Sequence, residues 1–395
     1  MTTIPRLTIH VTSPEEATRY HAAGATHLII DNSYYSNRSM VSSKDPQDIQ
    51  SLLKFCQNLS PKPTTSITCD VVLHNHMVPS IITLFETLKD TPPDYIRFQD
   101  LGILPLIQEI LPQSKATYIN ETGSSNVESL RALKTLGTPS IQLNNELPYS
   151  EIKTITSALA AEWQLQIHGH ILIQHSHRQL LKNVTNSTKQ KFIRSEDQDF
   201  KGRFYHFFES DHGCFMFGHF DRCLAPVLDK VLKCPLSDWI IDCRGLEVAH
   251  NETVLNHYKA LLEDIKGINK DRLDQIQDAL AAQSDMPLKI GFFNVNKTDI
   301  DWRDQKKSKT THYHVLGHCI DIQKQGHILI ELEETIKHTD QLYILTPEEK
   351  ELPFHKPHLS NLSGTPLESS ESHPIVKLNW IKGVTAGSKL VRLLG

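Results

Sequence analysis

Short apolar runs alternate with amphipathic stretches along the first half of the chain. Leu7–Val11 reads as a strand. Ser13-Pro14-Glu15-Glu16 reads as a helix start, with serine at the cap, proline in the first turn and acids at the positive end. Ala23-Gly24 closes that helix, and His27–Asp31 is the next strand. The unit then repeats. Helices are expected over Asp45–Leu59, Ser80–Lys89, Ile103–Ile110, Asn126–Leu136 and Tyr149–Ala160. Strands are expected over Thr65–Leu73, Tyr95–Phe98, Ala116–Ile119, Ser140–Leu143 and Leu165–Ile173. Polar residues follow the strand ends, among them Asn75, Asp100, Glu121 and Asn144. This α/β layout predicts a (β/α) TIM-like barrel, whose chemistry sits at the C-terminal ends of parallel strands. A doubly wound open sheet shares the same local pattern.

The rhythm breaks after Asn183. Asn183–Lys201 is polar and reads as a long loop, and Phe204–Phe208 with Cys214–Phe217 as a hairpin. Leu224–Leu232, Thr253–Ile265 and Lys270–Ala282 follow as helices, with a strand at Trp239–Asp242. From Thr311 short strands recur at even spacing: Thr311–Ile320, Gly326–Leu332, Gln341–Ile344 and Ile375–Leu378. They predict a small C-terminal all-β barrel or sandwich, with Ser360–Ser372 as a mobile loop. Two domains are therefore expected, residues 1–300 and 310–395, joined through the weakly patterned Lys297–Lys309.

Composition narrows the class. A chain of 395 residues that is 39% hydrophobic and 22% charged can bury a sizeable core. A net charge of -5 argues against nucleic-acid binding by bulk charge and leaves room for a local basic cleft. Seven cysteines without regular spacing, and no secretory pattern at Met1–Tyr20, predict reduced thiols in a cytoplasmic protein. No apolar run reaches the roughly 18 residues of a membrane span.

The densest chemistry lies in Leu165–Asn183: an alternating run containing Gly169, then His175-Ser176-His177-Arg178. Glycine inside a strand marks a bulge or a close backbone approach. This stretch resembles the signature of the collagenase-like peptidase U32 family, a His-Gly followed by a cysteine and then a Ser-x-Arg-Cys-Leu run. His168, Gly169, Ser176, Arg178, Leu180 and Leu181 stand at matching positions, whereas Leu172 and Gln179 replace the two cysteines. Further matches follow in the family's order: Leu73-His74-Asn75, Phe98-Gln99-Asp100, Glu121-Thr122 with Asn126, Phe208-Glu209, Asp221-Arg222-Cys223 and Ile241-Asp242-Cys243-Arg244. Tyr313–Gly395 resembles the family's C-terminal β domain. The nearest branch serves prephenate-dependent hydroxylation of the tRNA wobble uridine. The resemblance thus implies an RNA-modifying role, with tRNA and a paralogous family member as partners and prephenate as co-substrate. It carries two rival functions, a non-catalytic subunit paired with an iron–sulfur paralogue and a peptide hydrolase.

Five chemistries compete for these residues. An iron–sulfur cluster needs four thiolates, and the chain has no cysteine between Asp70 and Gly213, so no cofactor is expected. Imidazoles at i, i+2 make His168, His170, His175 and His177 weak metal candidates against a background of 22 histidines. Arg178 and Arg244 after strand ends suggest an anion clamp for a dicarboxylate or a phosphate, or else a structural pair with Asp242 or Asp221. Arg178, His168 and Arg244 are the expected catalytic residues, ringed by Asn75, Asp100, Glu121 and Asp242 as substrate contacts. Neither H-E-x-x-H nor G-x-S-x-G occurs, which leaves hydrolysis unsupported. Lys182, Lys189, Lys191, Arg194, Lys201 and Arg203, interleaved with Phe192, Phe204 and Tyr205, suggest single-stranded RNA contact or a solvated loop.

Overall fold

A computed structural model describes residues 4–40, 45–121, 123–181, 192–197, 203–294, 313–346, 350–354 and 357–393. The chain divides into two compact units, Met1–Asn296 and Lys297–Gly395. In the first, among the described residues, eight parallel strands form a ring. They are β1 (Arg6–Val11), β2 (His27–Ile30), β3 (Thr64–Cys69), β4 (Tyr95–Phe98), β5 (Lys115–Ile119), β6 (Ser140–Gln142), β7 (Glu162–Ser176) and β11 (Leu236–Asp242). β11 pairs with β1 on one side and with β7 on the other, so the sheet closes. That pairing decides for the barrel over the open sheet.

Helices α1 (Pro14–Ala22), α2 (Pro46–Gln57), α3 (Val78–Leu88), α4 (Ile103–Ile110), α5 (Val127–Thr135), α6 (Tyr149–Ala158) and α8 (Val248–Glu263) alternate with these strands. α1 starts where its sequence signals: Ser13 accepts a hydrogen bond from the Glu16 amide at 3.2 Å, with Pro14 in the first turn. The outward strand positions, such as Leu28, Ile67, Ile96, Ile141, Trp163 and Trp239, join one apolar cluster with the helices. Inward positions alternate with them and are strongly polar: Thr8, His27, Ser66, Arg97, Gln142, Gln164 and Asp238 are all buried. A buried polar lumen is tolerable only when its groups are paired. Arg97 donates to Gln142 and Gln164, while Asp238 accepts from Arg6 Nε at 2.9 Å and from Thr8 Oγ1 at 3.0 Å.

β7 is longer than its apolar pattern suggests and leaves the barrel. Its second half pairs antiparallel with β10 (Gly213–Cys223), which pairs with β9 (Phe204–Ser210), and β9 pairs with β8 (Phe192–Glu196). The expected hairpin is thus a multistranded arm. β8 is a strand where a loop was expected, stabilised by pairing that a polar sequence does not advertise. The basic residues Lys182, Lys189, Lys191 and Lys201 lie outside the described residues. The helix expected at Leu224–Leu232 is only a 3-10 turn, Ala225–Val227, followed by the single turn α7 (Leu228–Val231), because Pro226 cannot donate within a longer helix. α9 (Lys270–Ala281) and β12 (Leu288–Lys289), which pairs with β10, complete the unit.

The second unit holds β13 (Tyr313–Gln323), β14 (His327–Leu332), β15 (Leu342–Leu345), β16 (Glu351–Phe354), β17 (Ile375–Asn379) and β18 (Lys389–Leu393). They form one antiparallel sheet in the order β16-β15-β18-β13-β14-β17. Its core includes Leu316, Ile328, Ile330, Ile344, Val376 and Leu390. Ser360–Ser372 is not the free loop expected. Ser360 bridges Lys377, and the Ser370 amide donates to the Ile336 carbonyl at 3.0 Å.

Candidate functional site at the barrel mouth

The C-terminal ends of the barrel strands gather a buried charge network. Arg244, just beyond β11, donates to Asp242 through Nε at 2.8 Å and Nη2 at 2.6 Å, and to Asp31 through Nη1 at 3.3 Å. His10 on β1 hydrogen-bonds the same Asp31 oxygen at 2.9 Å. Arg38, in the loop after β2, pairs with Glu121 and lies 3.7 Å from Asp242. Gln99 donates to the other Glu121 oxygen at 3.2 Å. Asp70, after β3, accepts from the Asn37 amide at 2.7 Å.

Four carboxylates therefore face two guanidinium groups, and the surroundings set their protonation. Burial alone would raise Asp31, but His10 and Arg244 hold it at about 2. Asp242 is likewise held well below its ordinary range, Arg244 and Arg38 overcoming burial. Asp70 goes the other way: burial first, then the neighbouring Glu121 charge, push it up to about 6. The Asp31 carboxylate also takes a hydrogen bond from the Thr68 side chain, whereas Asn37 Oδ1 and Arg38 Nε are buried without a partner among the described residues.

The arm reaches this mouth. Ser210, at the β9–β10 turn, donates to the Asn37 carbonyl at 3.0 Å, and His212 Nε2 lies 3.0 Å from the Ser33 carbonyl. Met40 and Leu172 pack on an aromatic cluster of Phe208, Phe215 and Phe217. His175 stacks on Phe215, with ring centroids 4.4 Å apart, and contacts His177 edge-on.

The structure brings together only some of the residues expected from sequence. Glu121, Asp242 and Arg244 share the mouth. Arg244 is the structural partner of Asp242 and Asp31, not half of a free anion clamp. Arg178 is exposed beyond the end of β7, nine positions past Gly169, the residue opposite Asp242. Its side chain makes no hydrogen bond or ion pair to the network among the described residues, and its backbone amide is held by Ser176 Oγ at 3.3 Å. Asn75 is exposed on a 3-10 turn, and Asp100 ties its own loop by accepting from the Leu73 and Gly102 amides, both at 2.8 Å.

The four histidines do not converge either. A register shift at Ile167 in the β7–β11 ladder re-aims His168 toward α8, where its Nδ1 lies 3.4 Å from Tyr258 Oη. Burial lowers His168 to about 4. His170 instead pairs with Asp221 at 2.6 Å. Sequence reasoning missed His10, Asp31, Arg38 and Asp70. Asp31 closes an expected strand and could have been found on that ground; Arg38 sits in a loop with no pattern.

Residues 12–303 match the description "Peptidase family U32". The chain belongs to this family. A curated relative, "tRNA hydroxylation protein P2" of Bacillus subtilis (strain 168), is 22% identical over 250 residues, covering 60% of this chain and 79% of the relative. Among solved structures, a putative dihydrodipicolinate synthetase from Pseudomonas aeruginosa aligns over 71% of this chain and 81% of its own, at 8% identity and a TM-score of 0.40. A mutant tryptophan synthase alpha-subunit from Pyrococcus furiosus aligns over 68% of this chain and 100% of its own, at 10% identity and a TM-score of 0.39.

The residues present do not fit the thiolate-held cluster implied by the U32 resemblance. Leu172 occupies one cysteine position and packs against the aromatic cluster, and Gln179 occupies another. Among the described residues, no four thiols come together as a cluster-binding group. No described helix is long and apolar enough to cross a membrane.

Proposed function

We propose that this U32 protein takes part in tRNA hydroxylation, with a uridine base received at the barrel mouth. The observation that carries the reading is the buried charge network there, with Asn37 Oδ1 and Arg38 Nε as an acceptor and a donor not bonded to a described residue. A uracil edge offers one N–H donor flanked by two carbonyl acceptors; Asn37 Oδ1 would accept from that N–H and Arg38 Nε would donate to one of the carbonyls. A base must leave its stack to reach such a pocket. The arm supports the reading with half-buried aromatic and histidine side chains, and with Arg194 over the Phe204 ring at 4.0 Å. The name of the Bacillus relative supplies the class of reaction.

Ultraviolet cross-linking of the full chain to unmodified tRNA tests the contact. The expected adducts map to β9, β10 and the 33–40 loop. Adducts confined to the second unit, or none above a protein control, would contradict it.

Leu172 favours a second reading, in which the chain is the partner of a cluster-bearing paralogue and contributes recognition. Co-purification with a cysteine-bearing U32 protein would support that role, and homogeneous chain active alone would exclude it. Hydrolysis receives no such support. A Ser–His–Asp chain does exist, with Ser66 Oγ 2.5 Å from His27 Nε2 and His27 Nδ1 2.7 Å from Asp238. All three side chains are fully buried inside the barrel, with no route for a peptide.

A further inference from the structure

Behind the mouth, between the barrel wall and α8, three metal-binding side chains meet. His168 comes from β7, Cys243 from the residue after β11, and His250 from the first turn of α8. One ligand atom from each lies within 4.8 Å of the others. We infer that His168, Cys243 and His250 form a mononuclear site for a zinc-class divalent ion, with a fourth position left for water. This site is separate from the hydroxylation reading and uses neither of the positions where cluster cysteines are replaced.

Several features favour an ion over a fortuitous cluster. Thiolate plus imidazole is the donor set that suits zinc. A tetrahedral ion with bonds of about 2.0–2.3 Å holds its ligand atoms roughly 3.3–3.8 Å apart, so side-chain rotations of about an ångström close the site. His168 and Cys243 are each only 2% exposed. The Cys243 thiol and the His250 ring make no hydrogen bond to a described residue, so neither is committed elsewhere. Tyr258 Oη, 3.4 Å from His168 Nδ1, is the kind of outer contact that fixes a ligating imidazole.

Backbone geometry aims the donors. The register shift at Ile167 turns His168 out of the lumen toward α8. Gly169, at φ +102°, lets β7 approach the Asp242 carbonyl so closely that a Cβ would stand 2.1 Å from it, bringing the ends of β7 and β11 together. Cys243 also lines a cavity of about 130 Å³ with Ile9, His10, Tyr20, Arg244 and Asn251. That space is large enough for water beside the thiol, as an open-coordinate site requires. Such an ion would pin α8 to the β7–β11 seam and place a polarised water next to the mouth network.

The test uses the full chain, stripped with chelator and titrated with cobalt(II) and then with zinc(II). The expected result is one equivalent bound, with a thiolate-to-cobalt charge-transfer band and tetrahedral d–d bands that zinc abolishes. C243S should lose the charge-transfer band. H250A, on the outer face of the site, should weaken binding by about 100-fold, as even supporting contacts do at their upper limit. A cobalt spectrum without a thiolate band in the native chain would overturn the proposal, whatever the variants do. So would unchanged affinity in folded H250A.

Discussion

Asp70 is a carboxyl whose charge the fold moves into the working pH range. Its carboxyl titrates near 6 in the folded chain against 3.8 for the unfolded reference. The folded chain therefore binds that proton more tightly. The resulting stabilisation is complete below about pH 4 and is lost as pH rises through about 6. Asp70→Asn should gain on the wild type across that window, by on the order of 3 kcal/mol at about pH 8. Urea unfolding of both proteins at the two pH values checks the sign. The two arginines separate just as cleanly. Arg244→Ala strands two buried carboxylates and should cost about 3–5 kcal/mol. Arg178→Ala, at an exposed position, should stay within about 0.5 kcal/mol. Equal losses in thermal unfolding would show that Arg178 is held by contacts absent here. The sequence placed both arginines after strand ends but could not tell them apart, because burial and pairing depend on where β7 stops following the barrel.

At the scale of elements, β7 is the hinge of the architecture. Its first half closes the barrel against β11 and its second half carries the arm. Gly169 marks the division. Gly169→Ala puts a methyl group into the Asp242 carbonyl and a side chain at positive φ, so about 3 kcal/mol or more of stability should be lost. A cost under about 1 kcal/mol in chemical denaturation would mean the β7–β11 approach is looser than described. The alternating apolar pattern was sufficient to expect every barrel strand, and the capping signal at Ser13 marked a real helix start. Glycine inside the run correctly announced a close backbone approach. The pattern failed where partners, not periodicity, make the structure. β8 exists through β9, and the turn at Pro226 interrupts a stretch that reads as continuous helix. The register shift that turns His168 outward was equally hidden, since one extra residue in a strand leaves no compositional trace.

The molecule as a whole joins a U32 barrel with a polar interior to a separate antiparallel sheet. Its mouth is closed on one side by an arm that bonds the loop after β2. Family membership was legible because motifs recur in order along the chain. The mouth network was legible only in Glu121, Asp242 and Arg244, because its members come from six separate strand ends and loops and carry no spacing rule. The central claim is that this mouth serves tRNA hydroxylation. Its most direct test is the mass of nucleosides at the tRNA wobble position in a strain lacking the gene, with and without the wild-type copy restored. The account predicts that 5-hydroxyuridine and its derivatives fall on deletion and return on restoration. Wobble uridines hydroxylated to the same extent in both strains would contradict it.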